Sequence, residues 1–206
     1  GLNETQWAEF FRVASGVLKD VPYYPAPGNH ERNGAPYFRY FAVPRDYSFD
    51  YGNAHFVMLD SNRPAAELAA QDEWLRKDLA AHQGATWRIV AFHHTPYTCV
   101  DSEPRRVAAA LLRARLEPIF QAGKVQLVIN GHDHNYQHHF ANGIHYVVTG
   151  GGGAPLYNVR LDTPFTKAGK KAHHECEITI EGKHLRLRAV EPEGGVIEEF
   201  EVEAGG

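Results

Sequence analysis

The sequence has few of the residues that mark disulfide-stapled, membrane-spanning or nucleic-acid-binding chains. Only two of its 206 residues are cysteines, Cys99 and Cys176, so the fold does not depend on a disulfide framework, and we expect both thiols to be unpaired. No apolar run is long enough to span a bilayer. With 21 basic and 25 acidic residues the chain has no long basic stripe, which argues against a protein that binds nucleic acid through its phosphates. A chain of this length can bury most of its apolar surface, and we expect residues 1–206 to form a single domain.

Helix and strand patterns alternate along the first 150 residues. Asn3 and Gln6 have capping-box spacing and precede a helix that Pro22 ends, and further helices are predicted from Pro64 to about Gly84 and from about Arg105. The predicted strands are Tyr23–Ala26, a hairpin of Tyr47–Tyr51 with Ala54–Asp60, Trp87–Phe92, Val125–Asn130 and Ile144–Thr149. Residues 174–203 repeat with period two, which predicts an antiparallel meander, whereas 158–173 is polar and predicted to be a surface loop. This order predicts an α/β body with a mixed sheet and an antiparallel second sheet.

Polar clusters follow three of the predicted strands. Asn29 and His30 come after the first strand, His93 and His94 after a middle one, and His132 with His134 after a later one. A single histidine at a strand end is more often a hydrogen-bonded structural residue than a metal ligand. Sites in α/β sheets, however, collect beyond the carboxyl ends of strands, and all three clusters fall there. The joint pattern predicts a metal site, because imidazole is the commonest metal ligand in proteins.

Three motifs resemble those of the calcineurin-like metallophosphoesterase superfamily, and within it the purple-acid-phosphatase-like branch. They are Gly28-Asn29-His30-Glu31, His94-Thr95-Pro96-Tyr97 and Gly131-His132-Asp133-His134-Asn135-Tyr136. Supporting matches are the first helix with its tryptophan, Leu59-Asp60-Ser61, Glu73-Trp74-Leu75 and the glycine run after Thr149. The order and spacing of the three motifs make a far more specific signal than any one of them.

The resemblance implies an αββα sandwich of two mixed sheets flanked by helices. It also implies hydrolysis of phosphate esters, monoesters in preference to diesters, by water activated at two metal ions. Carried over by position, it implies that Asn29, His94 and His132 bind one metal and that His134 binds the other, with iron, zinc or manganese as candidates. His30 is then the catalytic histidine, placed as general acid toward the leaving oxygen. A near-neutral imidazole suits that role, and two metals suit an in-line displacement.

The chain departs from the family pattern on one side of the site. It contains no Asp-x-His and no Gly-Asp sequence, the motifs that supply the bridging carboxylate in the family. We therefore expect an N-terminally truncated domain without the first strands, which holds at most one metal well, because no bridging carboxylate offsets the repulsion between two cations. The exposed sheet edge is expected to promote self-association. The branch resemblance also suggests a secreted or periplasmic protein, although no residue in the sequence establishes its location.

Several neighbouring residues have two interpretations. His93 and Asp133 are expected to support the ligands beside them, while Arg105 and Arg106 either bind substrate or lie on a solvated helix start. Gly150–Gly153 lacks the context of a phosphate loop, and close approach of its backbone to the site is the better interpretation. The expected partner is a small phosphorylated substrate and no nucleic acid. The alternative functions are a phosphodiesterase or nucleotide hydrolase of the same superfamily, and a non-catalytic binding domain with a degenerate metal site.

Overall fold

The structure, a computed structural model, describes residues 1–205. Its α-helices are α1 (Glu4–Leu18), α2 (Ala35–Phe41), α3 (Leu68–Ala81) and α4 (Glu103–Ala122), and single 3₁₀ turns lie at Asn29–Glu31 and Ala65–Glu67. The strands are β1 (Tyr47–Tyr51), β2 (Ala54–Met58), β3 (Trp87–Phe92), β4 (Leu127–Asn130), β5 (Tyr136–Ala141), β6 (Ile144–Thr149), β7 (Thr166–Lys170), β8 (Glu175–Glu181), β9 (His184–Val190) and β10 (Val196–Glu203).

The strands form one large mixed sheet and one small antiparallel sheet. The large sheet has the order β1-β2-β3-β4-β6-β5-β7, in which β2, β3, β4 and β6 run parallel to one another. The small sheet is the predicted C-terminal meander, in the order β10-β9-β8. The α/β class with a mixed sheet and a second sheet is therefore confirmed. Of the two sheets that the resemblance described as mixed, only the larger is, because every pair in the smaller one is antiparallel.

The large sheet is buried on both faces, which explains why its central strands are almost continuously apolar. On one face, helices α3 and α4 pack Leu75, Leu116 and Phe120 against Val90 and Val128. On the other face, the small sheet packs against the large one through a second apolar cluster. Its members include Trp87, Ile89 and Leu127 of the large sheet and Leu185 and Leu187 of β9. Helices α3 and α4, the large sheet and the small sheet therefore form three layers.

The outer face of the small sheet is polar. Arg186 and Arg188 pair there with Glu199, and Arg188 also pairs with Glu177. Because these side chains are partly or largely exposed, this face lies toward solvent. Helices α3 and α4 cover the face of the large sheet that lies away from the small sheet.

Four local predictions differ from the structure. Residues 23–26 form no strand; instead Tyr24 stacks on Phe49, and the carbonyl oxygen of Pro25 accepts hydrogen bonds from two tyrosine hydroxyls. The predicted loop 158–173 contains the edge strand β7. Strand β5 was missed because its buried side chains include Gln137 and His139, which do not follow an apolar pattern. Helix α2 was missed because it is only seven residues long.

Both cysteines are free, as predicted, and Cys99 is buried. No helix within residues 1–205 has the length and apolar character needed to cross a bilayer. Self-association through a sheet edge stays a prediction.

Candidate metal centre

The parallel strands β2, β3 and β4 end at one edge of the large sheet, and polar residues follow each of them. Ser61 lies beyond β2, His93 and His94 follow β3, and His132 lies two residues after β4. The side-chain amide of Asn130 joins two of these ends, because its Nδ2 donates to the carbonyl oxygens of Phe92 and His94. The topology thus brings together three of the segments that the sequence singled out.

The turn that carries Asn29 reaches the same edge. The Glu31 carboxylate accepts a hydrogen bond of 2.6 Å from the backbone N–H of Gly28, which closes this 3₁₀ turn. A Cβ atom on Gly28 would lie only 2.8 Å from Nδ1 of His93, so the glycine permits close approach of that ring. As a result, Asn29 Oδ1 lies 2.7 Å from Nε2 of His93.

Three imidazoles surround one point at this edge. The ring centroids of His93 and His94 are 5.0 Å apart, those of His93 and His132 are 5.0 Å apart, and those of His94 and His132 are 4.7 Å apart. One nitrogen of each ring lies within 4.8 Å of the others. Three imidazoles on one tetrahedral ion, with metal–nitrogen bonds of about 2.0–2.1 Å, would place their centroids about 5 Å apart. The donor set of three imidazoles and the Asn29 amide oxygen therefore fits one transition-metal ion.

Burial keeps these imidazoles neutral. Loss of hydration is the largest cause that lowers the pKa of His93 to about 3, and the charges of neighbouring histidines lower it further. Burial also lowers the pKa of His132 to about 4 and holds that of His94 below its usual value. A neutral imidazole has one unprotonated nitrogen, which is the form that binds a metal. Near neutral pH all three rings are ready to bind without losing a proton.

Ser61 and the backbone orient two of the rings. The Ser61 hydroxyl accepts a hydrogen bond from the backbone N–H of His94 and shares another, 2.8 Å long, with Nδ1 of the same residue. This leaves Nε2 of His94 to face the site. His132 has a φ of +63°, a left-handed conformation that is costly for a side chain with a Cβ. That conformation directs Nδ1 of His132 to within 3.1 Å of His93 Nε2.

Asp133 lies beneath the site in a buried ion pair. Its carboxylate is fully buried and accepts hydrogen bonds from Arg105 at 2.6 Å, from Gln137 at 3.1 Å and from the Thr98 hydroxyl. Arg105 also lies over the ring of Tyr157. The structure thus gives Arg105 and Asp133 a part in holding the loop between His132 and His134. Arg106 lies apart from this group and pairs with Asp101 at the surface.

His134 and His30 lie outside the group of three imidazoles. The Nδ1–H of His134 donates a hydrogen bond of 2.9 Å to the carbonyl oxygen of Pro155, and its ring stacks on Tyr157. Within residues 1–205 it belongs to no group of three metal-binding side chains, so the second metal ion expected beside it has a poor fit. His30 is exposed, and its charge contributes to the low pKa of His93, which places it near the group.

The glycine run packs closely against the site loop, as predicted. A Cβ atom on Gly150 would lie 2.0 Å from the carbonyl oxygen of Asp133, a separation that no side chain tolerates. The backbone N–H of Gly150 donates to the carbonyl oxygen of Asn135. The run therefore allows the backbone to support the loop that carries His132.

A cleft opens beside the imidazoles toward α4. Its volume is about 450 Å³, and its polar side consists of Ser61, His94, His132 and Arg105. The opposite side is mostly apolar, and its residues are Pro104, Ala108, Ala109 and Leu112. The cleft gives a small molecule access to the imidazoles.

Two roles were missed from the sequence. His93, expected only to support its neighbour, lies between Asn29 and His132 at ligand distances. Ser61 was noted only as part of the Leu59-Asp60-Ser61 motif, although its place one residue beyond the predicted strand Ala54–Asp60 was the signal for a site contact.

Comparisons with known proteins agree with this geometry. The family model for calcineurin-like phosphoesterases matches residues 1–136. Purple acid phosphatase 15 of Arabidopsis thaliana is 30% identical over 151 residues, which cover 65% of this chain and 28% of that protein. Tartrate-resistant acid phosphatase type 5 of Rattus norvegicus is 26% identical over 215 residues, which cover 87% of this chain and 64% of that protein.

A solved structure gives the same result for the fold. Purple acid phosphatase PPD1 from yellow lupin seeds superposes with a TM-score of 0.81 and 25% identity, over 96% of this chain and 43% of that one. The chain spans about a third or less of the length of two plant relatives, purple acid phosphatase 15 and probable inactive purple acid phosphatase 1 of Arabidopsis thaliana. The family-model match and these relatives show that the chain belongs to the calcineurin-like phosphoesterase family, in its purple-acid-phosphatase-like branch.

Proposed function

We propose that this chain carries the part of a phosphatase site that binds metal and phosphate, and that it hydrolyses phosphate monoesters with the help of one transition-metal ion held by Asn29, His93, His94 and His132. The observation that carries the proposal is the triangle of imidazoles, with centroids 4.7 to 5.0 Å apart, next to the Asn29 amide oxygen. Family membership supports phosphate esters as the substrate class.

The ligand set includes one residue more than the resemblance implied. His93 joins Asn29, His94 and His132 because its Nε2 contacts both Asn29 and His132. A bound ion would supply positive charge that draws phosphate oxygens to the site and favours ionisation of water there. Zinc, iron or manganese would accept this mixture of imidazole nitrogen and amide oxygen, and zinc is the closest match to a four-coordinate arrangement.

The protein's own groups have separate roles around the ester. His30 lies at the exposed rim, where it can give a proton to the departing alkoxide. The apolar wall formed by α4 would face the organic part of the ester, while the imidazole side would face the phosphate. Arg105 remains engaged by the buried Asp133 carboxylate, so its main role is to hold the loop rather than to bind substrate.

A second ion at His134 would complete the dinuclear centre that the family resemblance implies. Its other ligands would have to come from groups beyond those that residues 1–205 place around His134. This difference is the observation behind one alternative, a non-catalytic binding domain with a degenerate metal site. A relative named probable inactive purple acid phosphatase 1, 28% identical over 198 residues, makes that alternative a real one.

The test compares hydrolysis with metal content in matched variants. On zinc-loaded chain we expect hydrolysis of p-nitrophenyl phosphate to exceed that of its bis-ester. We also expect His30→Ala to lower kcat by about 10²–10⁴-fold, the usual contribution of a general acid, with zinc content unchanged. His173→Ala, another exposed histidine, serves as control. If neither chelator nor His30→Ala reduces turnover, the proposal fails; bis-ester preference would indicate a phosphodiesterase instead.

A further inference from the structure

A buried arginine lies at the opposite end of the large sheet from the His93 site. Arg88 is the second residue of β3, whereas His93 directly follows the last one, so about 16 Å of extended strand separates them. Only 6% of Arg88 is exposed, and no other lysine or arginine within residues 1–205 is buried. Because arginine stays protonated in proteins, the folded chain holds a full positive charge at this position.

The guanidinium of Arg88 contacts no carboxylate of the described residues. Its Nε donates a hydrogen bond of 3.0 Å to the carbonyl oxygen of Lys124, and its Nη1 donates to the carbonyl oxygens of Gln83 and Ala85. Nη2 forms no hydrogen bond within residues 1–205, and it is not one of the enclosed polar atoms that lack a partner. This nitrogen is therefore open to the cleft that Arg88 lines.

A buried charge without a counter-ion is an exception in this structure. Within the described residues two carboxylates are buried, and each lies beside an arginine, Asp60 at 3.6 Å from Arg45 and Asp133 at 2.6 Å from Arg105. Burial lowers the pKa of Arg88, because removal from water disfavours the charged form. Since buried charges in proteins are usually paired, an anion in the cleft would complete the environment of Arg88.

The cleft beside Arg88 carries more positive than negative charge. Its volume is about 640 Å³. Lys124 and Lys183 also line it, both are exposed, and neither forms an ion pair within the part of the chain that the structure describes. Among the described lining residues only Glu203 is acidic, and its carboxylate already lies 2.8 Å from Nδ1 of His184. Three cations and one carboxylate thus line a cleft in a chain whose net charge is −4.

We propose that this cleft is a binding site for a phosphate group, in which Nη2 of Arg88 donates to one phosphate oxygen and Lys124 and Lys183 supply further positive charge. A phosphate suits the site better than a carboxylate does, because three cations can balance a dianion and its oxygens point in several directions. Val125 and Ile144 lie along the same cleft, so there is room for an organic part attached to the phosphate. The site is independent of the proposed phosphatase function.

The phosphate group would join two layers of the fold. Lys124 lies two residues after α4, and Lys183 lies in the turn between β8 and β9 of the small sheet. An anion bound by both lysines and Arg88 therefore connects the helix layer to the small sheet. Because an unfolded chain does not hold these cations together, binding stabilises the folded chain by RT ln(1 + [phosphate]/Kd).

The test is phosphate binding to a chain whose proposed metal site is disabled. Isothermal titration calorimetry with inorganic phosphate would be run on His132→Ala, treated with chelator and dialysed, and on the same chain with Lys124→Met and Lys183→Met. We expect one bound phosphate per chain in the first protein and at least about tenfold weaker binding in the second, because two cations near a dianion are lost. Circular dichroism checks that each variant is folded.

The matched control is Lys167→Met with Lys171→Met, which removes the same charge from two exposed lysines that do not line the cleft. We expect this pair to leave the phosphate affinity of the His132→Ala chain almost unchanged. Equal losses in the two double variants would mean that phosphate responds only to net charge, which overturns the proposal. Absence of phosphate binding to folded His132→Ala would also overturn it, and would mean that carbonyl oxygens alone hold Arg88.

Arg88→Gln tests the central contact directly. Glutamine keeps an N–H donor for the carbonyl oxygens but removes the charge, so we expect at least about tenfold weaker phosphate binding, whereas Arg88→Lys should retain more of it. Equal affinity in folded Arg88→Gln would overturn the role of Arg88.

A titration with phenyl phosphate distinguishes the sources of the phosphate group. Tighter binding than that of inorganic phosphate supports the site with a phosphorylated organic molecule as its ligand, and weaker binding supports it with free phosphate. Failure of this site leaves the His93 site and its phosphatase test untouched.

Discussion

The Nε2 atom of His93 lies 2.7 Å from Oδ1 of Asn29 and 3.1 Å from Nδ1 of His132. These side chains come from a turn and from two different strand ends, yet they converge at distances typical of atoms that share one metal ion. The convergence is fixed by the fold, because the glycine at position 28, the amide of Asn130 and the buried ion pair of Asp133 with Arg105 each hold one segment in place. The fold therefore pre-organises the site that we propose for an ion.

The first prediction concerns His93 itself. His93→Phe keeps an aromatic ring at the position but removes its nitrogen atoms, so we expect zinc affinity at this site to fall at least about tenfold. The measurement is competition for zinc with a chromophoric chelator. An unchanged zinc affinity would show that His93 is not a ligand and only supports its neighbour, as the sequence suggested.

Ser61 is predicted to position His94. Ser61→Ala removes the hydroxyl that contacts Nδ1, so the ring loses its fixed orientation, and we expect zinc affinity to fall by about 10–100-fold with little change in stability. The same competition assay measures it. Ser15→Ala, on the exposed side of α1, is the control. A loss of stability without a loss of affinity would mean that Ser61 serves the fold and not the site.

The two neighbouring arginines are predicted to differ strongly in their effect on stability. Arg105→Ala leaves the fully buried Asp133 carboxylate without its cation, and we expect it to lower the free energy of unfolding by about 3 kcal/mol. Arg106→Ala removes an exposed pair with Asp101 and should cost less than about 1 kcal/mol. Urea denaturation of both variants gives the comparison. Equal costs would contradict the assignment of Arg105 to the buried loop.

Buried histidines should make the metal-free chain sensitive to acid. His139 is fully buried between Gln137 and Thr166, and burial lowers its pKa to about 3, whereas in the unfolded chain it titrates near 6.5. Between these values the unfolded state binds the extra proton. Stability is therefore present above pH 6.5 and is lost as the pH falls toward 3, with a slope of at most about 1.4 kcal/mol per pH unit for this residue.

His139→Gln should flatten that slope, although it also weakens packing at every pH. The measurement is urea denaturation of chelator-treated chain between pH 4 and pH 6.5, where we compare slopes and not absolute stabilities. His184→Gln should leave the slope in this range almost unchanged, because contacts with glutamates raise the pKa of His184 and its titration falls at higher pH. An unchanged slope in His139→Gln would show that the buried ring is protonated in the folded chain.

Sequence patterns predicted the body of the fold well and the details of the site less well. Strand β3 was predicted to the residue, because an apolar run between two turns leaves little choice. Strand β5 was not predicted. Its buried side chains Gln137 and His139 form hydrogen bonds with partners from distant segments, which no local sequence pattern reveals. The identity of the strand-end clusters could be predicted from motif order. The sequence could not predict whether His93 or His94 points at Asn29, because this depends on the close approach that Gly28 permits.

The most direct test of the account is the metal content of the chain, purified without chelator and measured by elemental analysis alongside its His132→Ala variant. The account predicts one transition-metal ion per chain in the first protein and none in the second, with both proteins folded. Absence of metal in the first protein after exposure to zinc, iron and manganese, or equal metal content in the two, would contradict it.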